Sequence, residues 1–253
     1  RDRQTGETAR ISIAMKLLLE NGNSLRPSIS ADGRYIAFES NASTLVSGDT
    51  NGCADIFFYD QLTGQTTRIS ISSGGTQGNG DSRDPSISAD GRYVAFWSAA
   101  NNLVSDDTNG RYDVFVHDRQ TGQTERVSIA SDGTQGNMGS GIASISTNGS
   151  HVAFESLASN LVGNDTNSVQ DIFVHGLAAL NVAKEDHPDP VQAGAQLTYT
   201  LHITNTGSVD LRATVTDTLP AHVTPTGVLT WTPTITVPGG IWMAQYVVTV
   251  EMG

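Results

Sequence analysis

From residue 26 onward, apolar side chains come in short bursts separated by polar turns. Pro27-Ser-Ile-Ser30 precedes the turn Ala31-Asp-Gly-Arg34, and Tyr35-Ile-Ala-Phe-Glu-Ser40 follows it. A long polar loop runs to Ala54, and then come Asp55-Ile-Phe-Phe-Tyr59, the turn Leu62-Thr-Gly-Gln65 and Thr67-Arg-Ile-Ser-Ile71. Short bursts rich in β-branched and aromatic residues, bounded by Gly and Asp, predict strands. The Asp-Gly step suits the positive φ of a tight hairpin. In the second and third bursts both alternating sets are apolar: Ile36 and Phe38 against Ala37, Ile56 and Phe58 against Phe57. Such a strand needs cover on both faces, so further sheets must lie above and below it. No helical period competes over these residues.

The unit recurs. Asp32-Gly33, Asp90-Gly91 and Asn148-Gly149 stand 58 residues apart, as do Asp55, Asp113 and Asp171, and Arg10, Arg68 and Arg126. The Asp2, Asp60, Asp118 series ends where Gly176 takes the next place. Residues 2–175 therefore hold three 58-residue units in circular offset, the tail half of one opening the chain and the head half of another closing the array. A fixed period of this size marks modules that bury their apolar faces only by stacking on neighbours. Four short antiparallel strands per unit fit a β-propeller blade. The run Pro-Ser-Ile-Ser-Ala-Asp-Gly-Arg-Tyr-Val-Ala-Phe at 85–96, with Asp113-Val-Phe-Val and Asp118-Arg-Gln-Thr-Gly, resembles the TolB-like, WD-repeat-related propeller repeats of bacteria. That resemblance implies the fold of 2–175 and says little about activity, since propellers host unrelated functions.

The offset leaves the last unit without a fourth strand. Its edge would be Asp171, Ile172, Phe173, Val174 and His175, and the matching register lies at Glu7, Thr8, Ala9, Arg10, Ile11, Ser12 and Ile13. Joined within one chain, these would close a ring; joined between chains, they would be strand donation, with backbone hydrogen bonds carrying affinity. Propellers close with about four to eight blades, so donation between copies or a larger ring is expected rather than a closed ring of three. A fragment of a protein with more blades is the alternative. Met15, Leu17, Leu18 and Leu19 replace polar loop residues of the sister units (Ser73–Gly78 and Ser131–Gly136). This predicts an apolar patch and a protein contact, or packing on the second domain.

The period vanishes after residue 176, which sets the expected boundary at 1–176 and 177–253. New strands are predicted at Leu180–Lys184, Gln196–Ile203, Leu211–Thr216, Val228–Trp231 and Gln245–Val250. Tyr199, Leu201 and Ile203 alternate with Thr200 and His202, the pattern of a sheet with one buried face. The stretch Leu197-Thr-Tyr-Thr-Leu-His-Ile-Thr-Asn-Thr-Gly207, with Val215-Thr-Asp-Thr-Leu-Pro220, resembles domain of unknown function 11. That family implies an immunoglobulin-like β-sandwich of large prokaryotic surface proteins. The 74 residues from Leu180 onward fall short of the ~100 of a full sandwich, so a strand is expected to be missing and a sheet edge open. The fold class is thus all-β, with β-propeller blades followed by an immunoglobulin-like sandwich.

Charge narrows the partners. The chain carries 26 acidic and 14 basic residues, a net charge of −12. That opposes nucleic acid and anionic membrane surfaces, and no apolar run is long enough to insert in a membrane. Cys53 is the only cysteine, so there is no internal disulfide framework. The chain opens inside a repeat without an initiator Met, so it is expected to be a processed product or part of something longer.

Three loops carry Asp49, Asn51 and Asp55; Asp107, Asn109 and Asp113; and Asp165, Asn167 and Asp171. Alternating oxygen side chains closed by a carboxylate suit calcium, but the EF-hand spacing is not met. An Asx turn fixing its own backbone is the preferred reading. No other cofactor is expected. His117 and His175 stand where Tyr59 stands in the first unit, which indicates an amphipathic strand position rather than a metal ligand. No nucleophile elbow, P-loop or zinc motif occurs, and no enzyme is expected. The expectation is an extracellular structural protein of a prokaryotic cell surface, with copies of itself as partner. The alternative is a surface binding module that recognises a protein or glycan.

Overall fold

The computed structural model describes residues 8–13, 21–177, 180–187, 192–205, 211–235 and 240–250. The chain divides into two compact units, Arg1–His175 and Gly176–Gly253. Among the described residues all regular structure is β.

The first unit is a set of blades. Strands β1 (Ser24–Ile29), β2 (Tyr35–Ser40), β3 (Asp55–Asp60) and β4 (Gln65–Arg68) form one antiparallel sheet in chain order. Strands β5 (Ser82–Ile87), β6 (Tyr93–Ser98), β7 (Asp113–Asp118) and β8 (Gln123–Arg126) form the second. Strands β9 (Ser140–Ile145), β10 (His151–Ser156) and β11 (Asp171–Gly176) form a third of three strands. The doubly apolar bursts are buried on both sides, as their composition requires: Ile56, Phe57 and Phe58 have at most 2% of their surface exposed. Ala37, Ile56, Phe58 and Ile69 of the first blade meet Ile87, Val94, Phe96, Ala100, Leu103 and Phe115 of the second in one cluster.

The fourth strand differs from expectation. The sequence predicts it over Thr67–Ile71, but the ladder stops at Arg68. Ile69 still donates its amide to the Ile56 carbonyl at 2.7 Å and fills the space between blades. The Ile56 amide, however, turns to the Ser70 hydroxyl at 3.1 Å, and the Ile69 carbonyl accepts the Ile71 amide at 2.7 Å, which ends the ladder.

Hairpin to hairpin, the blades are also joined through the backbone. The Ala31 amide donates to the Ala89 carbonyl at 2.9 Å, and the Ala89 amide to the Thr147 carbonyl at 3.0 Å. Here Gly91 and Gly149 serve twice. Their φ values of 73° and 71° lie in the left-handed region, and a Cβ on either would run into the ring of Tyr35 or Tyr93 from the preceding blade. Gly33 has the same backbone with φ of 75° and nothing within 4 Å of such a Cβ.

In the second unit, β12 (Leu180–His187), β13 (Gln196–Asn205), β19 (Ile241–Val250) and β16 (Val223–Thr224) make a four-stranded antiparallel sheet in that order. β15 (Val215–Thr218) pairs with β17 (Val228–Trp231), and β14 (Leu211–Arg212) with β18 (Thr234–Ile235). The expected strand Leu211–Thr216 is split in two because its halves pair with different partners. The Ala213 amide continues the β14–β18 pairing to the Pro233 carbonyl at 3.0 Å, and from Val215 the chain pairs with β17. β13 alternates strictly, and Leu197 and Tyr199 meet Leu219, Val223 and Val248, with Leu229 packed beside them, in one core between layers.

Gly91→Ala and Gly149→Ala should each cost more stability than Gly33→Ala. All three incur about 1–2 kcal/mol for the left-handed backbone, and the first two add about 1–3 kcal/mol for overpacking. Equal shifts of the urea midpoint at the three positions would contradict the account.

Candidate functional site

The repeated loops come first. Asn51 closes an Asx turn: its Oδ1 accepts the Cys53 amide at 3.0 Å, and its Nδ2 donates to Asp55 Oδ2 at 3.0 Å and to the Gly78 carbonyl at 2.9 Å. Asp55 Oδ1 also accepts the Ser70 hydroxyl at 2.5 Å. Arg68, at the end of β4, sits among the oxygens, 3.3 Å from Asp49 Oδ1, 3.0 Å from Asp55 Oδ2 and 2.7 Å from Gln77 Oε1. Arg126 repeats this with Asp107 at 3.3 Å, Asp113 at 3.7 Å and Gln135 at 3.0 Å, and Asn109 repeats the Asx bonds. A planar guanidinium, with donors on several sides, neutralises two buried carboxylates and ties the fourth strand to the loop before the third. The oxygen set therefore fits a built-in organic cation; a Ca²⁺ would have to share those same carboxylates. Among the described residues no group of three His, Cys, Asp or Glu is arranged to hold a metal. In the third repeat Asn167 still bonds Asp171 (2.8 Å) and the Val169 amide (3.1 Å), with Asp165 in the same loop.

Burial pushes the Asp49 carboxyl up, with Asp55 adding to it and Arg68 opposing. Burial likewise raises Asp113 against bonds from Ser128, Asn109 and Arg126. His117 is buried, and its Nδ1 lies 2.8 Å from Thr124 Oγ1. The Thr124 hydroxyl donates to the Ile71 carbonyl at 2.6 Å, so the proton between them belongs to Nδ1. Burial holds this imidazole below its ordinary value, and burial lowers His175 as well. Both are strand residues, on β7 and β11.

The expected assembly residues lie in three places. Glu7, Met15, Leu17, Leu18 and Leu19 fall outside the described residues. Thr8, Ala9, Arg10, Ile11, Ser12 and Ile13 are described and carry no strand, and among the described residues β11 forms a sheet with β10 and β9 alone. Ile11 packs instead against Ile36, Phe38, Ala42, Leu45 and Phe57. Those are the first-repeat counterparts of Val94, Phe96, Ala100, Leu103 and Phe115, which receive Ile69. The Ile13 amide bonds the Ile11 carbonyl at 2.9 Å, as Ile71 bonds Ile69 at 2.7 Å. The segment thus holds, against the first blade, the post that the end of a preceding fourth strand would hold. At the other end, Ile172 and Val174 on β11 are 73% and 65% exposed, whereas Ile56, Phe58, Val114 and Val116 at the same positions are 0–2% exposed.

One further feature has no counterpart in the sequence reading. Arg26, Asp84 and Ile142 occupy one position in three repeats, each in a β-bulge with positive φ of 51°, 54° and 28°. Bulges re-aim side chains, and here they turn three residues toward a groove of about 420 Å³ that Trp97, Tyr112, Glu155 and Gln170 also line. The Trp97 and Tyr112 rings meet edge to face, with centroids 5.2 Å apart. The Trp97 indole N–H donates to Asp84 Oδ2 at 2.7 Å, and Arg26 pairs with the same oxygen. The crevice one repeat earlier, with Glu39, Ala54 and Arg83 where this one has Trp97, Tyr112 and Gly141, encloses about 160 Å³. The signal was present in the sequence: two aromatics stand in columns that hold Glu39 with Glu155 and Ala54 with Gln170 in the sister repeats.

Two outcomes follow from the buried groups. Arg68→Ala or Arg126→Ala should cost about 3–5 kcal/mol in urea unfolding, since each leaves a buried carboxylate unpaired; a loss no larger than that of the exposed Arg111→Ala would refute this. Because the folded imidazole of His117 titrates below its unfolded value of 6.5, the unfolded chain binds the extra proton. Stability is therefore present above about pH 6.5 and declines as pH falls through the folded value. His117→Tyr, which installs the side chain of Tyr59, should flatten that decline in denaturation series at about pH 7.5 and 5.5; an unchanged slope would contradict it.

No protein-family model matches this chain, and no curated protein matches it. Among solved structures it is similar to a putative TolB from Agrobacterium tumefaciens, at 15% identity and TM-score 0.37, covering 94% of this chain and 61% of that one. It is similar to TolB from Acinetobacter baumannii at 17% identity and TM-score 0.37, covering 92% and 55%. It is also similar to the tricorn protease at 13% identity and TM-score 0.36, covering 72% and 14%. The chain thus spans less than two thirds of the length of either TolB structure. At this identity and superposition the likenesses carry no statement about activity.

Proposed function

We propose that this protein is an extracellular structural component of a prokaryotic cell surface that assembles with copies of itself at the edge of β11. The observation that carries the reading is the exposure of Ile172 and Val174 at positions buried in both other blades. An unpaired strand edge beside uncovered apolar side chains is a template for another chain. A second copy offers the complement: its Thr8–Ile13 segment rests on its own first blade where a preceding fourth strand would end. Contact between the third blade of one copy and the first blade of the next is head to tail, so it builds a ring if the rotation closes and a filament if it does not. The net charge of −12 and the resemblance of the second unit to domain of unknown function 11 support the surface setting.

The native mass in solution tests the proposal. The chain should run well above its 26.7 kDa, and Ile172→Lys with Val174→Lys should return it to monomer without lowering the unfolding midpoint, because both side chains are exposed. A parent chain that is already monomeric, or a double variant that assembles as before, would sink the idea.

A further inference from the structure

The single-copy groove is independent of the β11 edge and has its own chemistry. We propose that it binds a neutral carbohydrate, with one sugar ring stacked on Tyr112.

Three observations lead there. First, the groove is lined differently from the crevice one repeat earlier. Where the first repeat places Glu39 and Ala54, this one places Trp97 and Tyr112, and Gly141 stands in the column of Arg83. The space grows from about 160 to about 420 Å³, within the ~300–1,000 Å³ of small-ligand clefts. Second, the aromatic surface is available: Tyr112 is 55% exposed. The only polar atom of the Trp97 ring is already bonded to Asp84, so the indole offers the groove apolar surface. Third, Glu155 and Gln170 line the groove with no side-chain hydrogen bond to the other described residues. Planar acceptors and donors beside an aromatic face suit adjacent hydroxyls around a ring whose C–H face is apolar.

Other ligand classes fit less well. An anion finds Arg26 already paired with Asp84 and 3.8 Å from Glu39, and it meets the Glu155 carboxylate. A wholly apolar ligand would cover the Glu155 carboxylate without giving it a partner, which disfavours it. A neutral polyhydroxylated ring meets none of these objections.

The test is calorimetric titration of the full chain with cellotetraose, chitotetraose and mannotetraose, and with tetragalacturonate as an acidic comparison. At least one neutral tetrasaccharide should bind saturably, and tetragalacturonate at least about tenfold more weakly than it. Tyr112→Ala, which installs the residue of the first repeat, should weaken the neutral ligand by about tenfold or more while the chain still unfolds in one cooperative transition. Glu155→Gln should weaken it several-fold and serves as the second variant. Absence of binding by all three neutral probes at millimolar concentration would overturn the proposal. So would wild-type affinity in Tyr112→Ala, or tightest binding of tetragalacturonate.

Discussion

Each blade in the first unit has a sheet that is apolar on both faces, and such a sheet is stable only between two others. Ala37 and Phe58 point one way and Phe57 the other, and all three are buried. Alternation along a strand means that burying one set leaves the opposite set to be covered by a different neighbour. Stacking is therefore compulsory, and most other features of the unit serve it. The glycines of the first hairpins let Tyr35 and Tyr93 lie against the next blade. Ile69, just past the end of β4, fills the seam. Among the described residues the same rule leaves the demand unmet at the far face of β11 and at Ile29 of β1, which is 59% exposed in a column where Ile87 and Ile145 are buried.

The polar loops hold the stack in register. Arg68 and Arg126 bring a positive charge to carboxylates that are fully or nearly removed from water. A compact metal ion could neutralise the same charge, but it would not tether the fourth strand to the loop. The guanidinium does both, because it is covalently part of the strand it fixes. The bulges of β1, β5 and β9 act differently: they hold one residue per blade in a left-handed conformation and direct those residues into the grooves between blades. A repeated backbone device therefore presents different side chains at each seam. Variation at two or three columns then suffices to turn a crevice into a binding groove.

Much of this was legible in the chain, for identifiable reasons. The hairpin at Asp90-Gly91 and the strand Asp113–Asp118 follow from alternation and turn chemistry within a dozen residues. Arg10, Arg68 and Arg126 stood out as a periodic series, and the loop aspartates as another. That the second series is the partner of the first could not be read, since loop and arginine approach only when β4 folds back along β3. The fourth strand was placed too late because Ile69 and Ile71 look like strand residues, whereas the Ser70 hydroxyl takes the Ile56 amide and the ladder ends at Arg68.

By itself the sequence determined the 58-residue period, the strands within it and the need for cover on both faces. These rest on local backbone preference and on side-chain alternation, which a linear chain displays openly. Only the tertiary structure decided which apolar face is left uncovered, which cation meets the loop carboxylates and that Trp97 and Tyr112 share a groove with Arg26, Asp84 and Glu155. Those outcomes depend on contacts between residues tens of positions apart, and the stacking of one blade on the next is what brings them within reach.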